Sequence, residues 1–163
     1  MFWYDWLLHG TRYKINYLLF YFYPLIIFKN YINVKGPFRP NEDGSLSLNS
    51  FAWNKLSNMV FIESPINVGF SYSDDDLDNS TPIGDTQTAI DNYNLIQAFM
   101  DKFPEYLNNS LYISSESYGG HYIPQLAKVI FDNNQLDNIR KLNFKGFAVG
   151  NPYTDVWSGT PGI

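Results

Sequence analysis

Ser114-Ser115-Glu116-Ser117-Tyr118-Gly119-Gly120-His121-Tyr122 follows the short apolar run Leu111-Tyr112-Ile113 and precedes Ile123-Pro124-Gln125-Leu126-Ala127-Lys128-Val129-Ile130-Phe131. The first run reads as a buried strand, and the last carries its apolar residues at helical spacing. Ser117 therefore falls on a strand-to-helix turn, with small residues two positions before it (Ser115) and two after it (Gly119). That is the steric requirement of a nucleophile elbow, where bulk at either flank would strike the neighbouring strand or helix. Such a turn presents a strained, exposed hydroxyl at a helix N-terminus, where developing negative charge is stabilised. The pattern departs from G-x-S-x-G only at Ser115.

Outward from the elbow the chain alternates between two periods. Met59-Val60-Phe61-Ile62 is a continuous apolar run of the kind found in buried parallel strands, and Glu63-Ser64-Pro65 ends it. Asp85 is placed to start and cap a helix, along which Ala89, Tyr93, Ile96, Met100 and Phe103 line one face before Pro104. The order strand 59–62, helix 86–102, strand 111–115, helix 119–132, strand 143–149 is βαβαβ. It predicts an α/β fold, a mostly parallel sheet with helices packed on its faces. Reactive loops gather at the carboxyl ends of parallel strands, and the Glu63 and Ser117 turns both lie at such ends. Between these elements, residues 36–40 read as a loop, 41–45 as a turn, Leu46–Asn49 as a short edge strand and Val68–Ser73 as an extended segment with a close-approach glycine. Asp74–Ser80 is a solvated acidic loop without the glycine and terminal glutamate of a calcium site.

Composition closes off several classes. A net charge of -5 with no basic patch excludes a nucleic-acid binder, and zero cysteines exclude disulfides, zinc knuckles and a thiol nucleophile. With His9 and His121 the only histidines, no His-rich metal site is available and no cofactor is indicated. Residues 1–33 form a separate, aromatic-rich segment. Its apolar stretch 17–28 has the length of a signal-peptide h-region but no small-residue cleavage site after it, and a strand broken at Pro24 is an equal alternative.

Taken together, residues 36–155 resemble the serine carboxypeptidases. The resemblance is carried by Gly36-Pro37-Phe38-Arg39, Trp53-Asn54-Lys55 and Phe61-Ile62-Glu63-Ser64-Pro65-Ile66-Asn67-Val68-Gly69-Phe70-Ser71-Tyr72-Ser73. Gly84-Asp85, Phe103-Pro104-Glu105-Tyr106, Glu116–Pro124 and Gly150-Asn151-Pro152 follow in the same order. The resemblance implies an α/β-hydrolase fold, residues 34–163 being the N-terminal portion of that domain, and removal of C-terminal residues from peptides without a metal. It places the nucleophile at Ser117, one oxyanion-hole N–H at Tyr118, and a contact to the substrate's terminal carboxylate at Glu116. Glu63 matches a strand-end acid with a structural role, and His121, one helical turn from Ser117, is read as structural. Family members are secreted, vacuolar or lysosomal. An acyltransferase acting on a glucose ester, or a non-catalytic fragment, are the rival readings.

Three departures from the family pattern shape the expectation. No Asn-Gly-Gly-Pro-Gly loop precedes Gly36, Val34 stands where an acid is expected, and no histidine follows His121. The triad order in this fold is Ser, then Asp, then His. The chain is therefore expected to be a partial product, inactive alone, whose first thirty or so residues come from a misassigned exon or retained intron. It is also expected to be poorly soluble. Asn79-Ser80-Thr81 and Asn108-Asn109-Ser110 fit glycosylation sequons.

Overall fold

A computed structural model describes residues 17–23, 36–73 and 83–155. The acidic loop 74–80, the Asn79 sequon and most of the segment 1–33 lie outside the described residues. Among the described residues six strands and two α-helices follow in order. They are β1 (Tyr17–Tyr23), β2 (Phe38–Pro40), β3 (Leu46–Leu48), β4 (Asn58–Glu63), α1 (Asp85–Lys102), β5 (Ser110–Glu116), α2 (Gly119–Asn134) and β6 (Phe144–Gly150).

Four of the strands form one sheet in the order β4-β1-β5-β6, and every pairing in it is parallel. β1 is an inner strand: Leu18 lies level with Asn58 on one side and with Leu111 on the other. Of the two readings of residues 17–28, the strand is the one the structure shows for Tyr17–Tyr23. Being paired on both sides, it suits a run with no polar interruption.

α1 and α2 pack against each other and onto one face of this sheet. Alternation along the strands decides that face. Leu18 and Phe20 of β1 and Leu111 and Ile113 of β5 are fully buried under the helices. α1 meets them with Ala89, Tyr93, Ile96 and Met100, and α2 with Ile123, Leu126, Ala127 and Ile130. The Phe20 ring stands edge-on to Phe99 of α1 at 5.2 Å. Burying each large apolar side chain contributes roughly 1.5–3 kcal/mol, so this layer is the main source of cohesion. α1 stops where Phe103 leaves helical geometry and Pro104 opens a 3-10 turn.

The opposite face is open. Leu19, Tyr112, Ser114 and Phe147 line a hollow of about 810 Å³ together with Trp53 and Leu56. Leu56 is 80% exposed and Phe147 50%, so neither is covered.

Away from the sheet, the segment read as a loop at residues 36–40 contributes β2, which pairs antiparallel with β3. The segment read as extended at Val68–Ser73 is instead a turn latched to the end of β4. The Phe70 N–H donates to the Glu63 carboxylate (2.8 Å) and the Ser71 hydroxyl to the Glu63 carbonyl (2.7 Å). A Cβ at Gly69 would overlap the Glu63 carboxylate, which is the close approach that position required. The buried Ser64 hydroxyl donates to Asn92 of α1 (2.9 Å), tying the same turn to the helix layer. No helix among the described residues is long and apolar enough to cross a membrane.

Among the described residues β6 is an outer strand, and the face beside it is apolar and exposed; both features template self-association. The chain is expected to elute as soluble oligomers or aggregates in size exclusion with light scattering. Phe147→Lys together with Leu56→Lys should shift it toward monomer. A monodisperse, cooperatively melting monomer without these substitutions would contradict this.

Candidate active site

The carboxyl ends of β4, β5 and β6 bring Glu63, Glu116 and Gly150 to one side of the sheet, and Ser117 stands at its centre. Ser117 has φ 54°, in the left-handed region, and its side chain is exposed. Such a conformation costs a non-glycine residue about 1–2 kcal/mol and persists only where the surroundings enforce it. Three backbone hydrogen bonds do so. The Ser117 N–H donates to the Gly150 carbonyl (3.0 Å), and the Ser117 carbonyl accepts from the N–H groups of Gly120 (3.0 Å) and Tyr153 (2.8 Å).

The small residues flanking the turn are required by contact. A Cβ at Gly119 would overlap the Ser115 side chain, and a Cβ at Gly120 would overlap the Tyr153 carbonyl. Ser115 is itself buried, so it has no room to withdraw. A serine fits at position 115 in place of the usual glycine because position 119 supplies the missing space.

α2 begins at Gly119 with Tyr118 as its N-terminal flanking residue. N–H groups at a helix start have no partner within the helix. Among the described residues the Tyr118 N–H has no acceptor, so it stands as an unspent donor one residue from the Ser117 hydroxyl. The Tyr118 hydroxyl donates to the Asp85 carboxylate (3.2 Å to Oδ2). Burial, then this bond, raise the Tyr118 phenol above its ordinary value. Asp85 thus departs from its expected role. It is the first residue of α1, it makes no side-chain cap, and its carboxylate serves the tyrosine instead.

Glu116 is half-buried at the end of β5, and burial alone pushes its carboxyl above the ordinary carboxylate value. His121, the one histidine among the described residues, lies 4.7 Å from the Tyr118 ring and 5.6 Å from the Tyr153 ring. Packed at a tilt against both rings, it has a structural setting. Among the described residues no group of three or more His, Cys, Asp or Glu side chains is placed to hold a metal ion.

Sequence reasoning brought Ser117, Tyr118 and Glu116 together and missed the roles of Gly150, Tyr153 and Asp85. The last three act through bonds to residues at least thirty positions away, which no local pattern reveals.

A parallel sheet with crossover helices and a strained serine between strand and helix is the arrangement of the α/β-hydrolases. Comparison with known proteins narrows the class. The family model for serine carboxypeptidase matches residues 31–161, and the chain belongs to that family. It is 50% identical over 123 residues to Serine carboxypeptidase 24 of Arabidopsis thaliana, covering 74% of this chain and 26% of that protein. It is 43% identical over 129 residues to Serine carboxypeptidase-like 28 of the same plant, covering 78% of this chain and 28% of that protein. The crystal structure of Kex1(delta)p, a prohormone-processing carboxypeptidase from Saccharomyces cerevisiae, superposes with a TM-score of 0.68 at 26% identity, covering 83% of this chain and 30% of that one. The chain thus spans about a quarter of the length of these curated relatives.

The packing at the elbow yields a rescue experiment. Gly119→Ala alone is expected to lower stability by about 1–3 kcal/mol in urea unfolding, from overpacking against Ser115. Adding Ser115→Gly should recover most of that loss. Additive losses in the double variant would show that the contact does not limit the site.

Proposed function

We propose that this chain carries the nucleophile portion of a serine carboxypeptidase, which removes C-terminal residues from peptides. Residues 34–163 are taken as the N-terminal part of its hydrolase domain, to whose sheet Tyr17–Tyr23 adds the inner strand β1, and its site of action is secreted, vacuolar or lysosomal. Serine carboxypeptidases are typically secreted or vacuolar, which supports that location. The observation that carries the reading is the exposed Ser117 at φ 54°, beside an unspent N–H at the start of α2.

In this reading Ser117 Oγ gives its proton to a general base and attacks the carbonyl of the last peptide bond. The Tyr118 N–H stabilises the oxyanion that forms, where a preorganised donor is most effective. The C–N bond then breaks, the terminal residue leaves with a proton on its nitrogen, and water hydrolyses the acyl-enzyme. Glu116 contacts the terminal carboxylate of the substrate. Two carboxyl groups bind each other only while they share a proton, and the raised Glu116 carboxyl keeps its proton to higher pH than an ordinary one. In this reading no base is assigned among the described residues, where the one histidine, His121, packs its ring against Tyr118 and Tyr153.

The test uses a fluorophosphonate probe and a blocked dipeptide. The chain alone should not label at Ser117. Residues 34–155 exchanged into Serine carboxypeptidase 24 should label and should release the terminal amino acid, and Ser117→Ala should abolish both. Labelling of the chimera that survives Ser117→Ala would refute the assignment. Strong labelling of the chain alone that disappears in that variant would keep Ser117 as the nucleophile but overturn the view that its base lies elsewhere. Acyl transfer without residue release would identify an acyltransferase instead.

The Glu116 role has its own pH signature. Peptide affinity of the chimera should fall as pH rises through the elevated Glu116 value, because the ionised pair repels. Glu116→Gln keeps a donor with no proton to lose, so its affinity should stay flat across the same range. KM measured against pH separates the two, and parallel profiles would remove Glu116 from carboxylate recognition.

A further inference from the structure

We propose that Asn108 is an N-glycosylation site, placed at the end of the sheet opposite Ser117 so that its glycan leaves the site's entrance clear. This rests on the secretory reading above, and the experiment is arranged to separate the two. Asn108-Asn109-Ser110 is an acceptor sequon with no proline at its centre. A sequon is common by chance, so placement carries the argument.

The glycan is bulky and strongly hydrated, and the accepting amide has to stand in water on a turn or loop. Asn108 meets this condition. It is exposed and lies in the short connection between the 3-10 turn Pro104–Tyr106 and the first residue of β5, Ser110. The turn is held by its backbone. The Asn108 carbonyl accepts from the Asn143 side-chain amide (3.1 Å), and the Asn109 N–H donates to the Tyr106 carbonyl (3.0 Å). The Leu111 N–H then donates to the Asn143 carbonyl (2.9 Å), locking the sequon's end into the sheet. Among the described residues the Asn108 side-chain amide makes no hydrogen bond, so modifying it breaks none.

Orientation supplies the second half of the inference. All four sheet strands run the same way, so Asn108 lies at their amino ends with Asn58 and Phe144. Ser117 lies past the other end of β5. A seven-residue strand spans about 20 Å. A glycan at Asn108 therefore projects away from the carboxyl ends where Glu63, Glu116 and Ser117 gather. The sequon at Asn79 lies outside the described residues, so it is removed in the test rather than argued.

The full chain behind a heterologous cleavable signal sequence is translated with microsomes, and only protease-protected molecules are scored. Protected Asn79→Gln chains should show one endoglycosidase-sensitive step in mobility. That step should be lost in Asn79→Gln combined with Asn108→Gln or with Ser110→Ala, and kept with Ser110→Thr. Protected Asn79→Gln chains at unmodified mobility would overturn the site. Protection of the chain without the added signal is a separate readout that bears on the secretory reading alone.

Discussion

Ser117 holds a backbone conformation that it would not adopt unaided, and the bonds that enforce it come from the strand next door. Its N–H is taken by Gly150 at the end of β6, and its carbonyl by Tyr153 just beyond. A cost of about 1–2 kcal/mol is comparable to what one or two net hydrogen bonds return, so the turn depends on β6 being paired in register with β5. Glu116 lies level with Gly150 in that register, which sets the following residue beside the loop that clamps it. Asn151, at φ 42°, is left-handed as well, so β5 and β6 are each followed by a left-handed residue at this end of the sheet. Steric demand follows from the same geometry. With strand, helix and clamp all within contact, positions 115, 119 and 120 accommodate only small residues.

The clamp is only as firm as the sheet beneath it. β5 lies between β1 and β6, and its buried residues Leu111 and Ile113 are covered by the helix layer. β1 therefore bears indirectly on the site, because it gives β5 a partner on its other side and contributes Leu18 and Phe20 to the same layer. The arrangement is one-sided. Everything that fixes the elbow comes from the helix-covered face and the carboxyl ends of the strands, while the face bearing Tyr112 and Leu19 opens on a hollow. Ser114 shows what that asymmetry leaves behind: its hydroxyl is buried beside the hollow without a hydrogen-bond partner among the described residues.

Local chemistry made the layers and the elbow legible from sequence, and distant contacts were not. α1 and α2 follow from apolar spacing, and β4 and β5 from short apolar runs between turn residues; each matches the structure to within two residues at either end. The elbow was readable because its constraint is steric and lies within five consecutive residues. Phe38–Pro40 was read as a loop because a three-residue strand with a terminal proline carries no period. Val68–Ser73 looked extended from its aromatic and β-branched residues, but Asn67 and Gly69 are left-handed and the Glu63 carboxylate folds the segment back. Asp85 was read as a cap because it opens a helix, and only the folded chain brings the Tyr118 hydroxyl to it.

Asp85 and Glu116 also show how two acids near one end of a sheet take different work. The Asp85 carboxylate accepts a hydrogen bond from the Tyr118 hydroxyl and thereby fixes the side chain of the residue whose backbone N–H faces the elbow. Burial alone acts on the Glu116 carboxyl and raises it above the ordinary carboxylate value, which favours the neutral acid. In the proposed mechanism an ionised group at the end of β5 would repel the substrate's carboxylate, and removing the carboxylate at position 85 would release the Tyr118 hydroxyl. The division of labour between the two acids is thus set by position rather than by residue type. The same placement constrains the base of the proposed mechanism. In a parallel sheet the strand ends on one side are shared, so that base would have to approach Ser117 over the carboxyl ends, past Glu116 and the Tyr118–Tyr153 stack at 6.3 Å, and not through the helix-covered face.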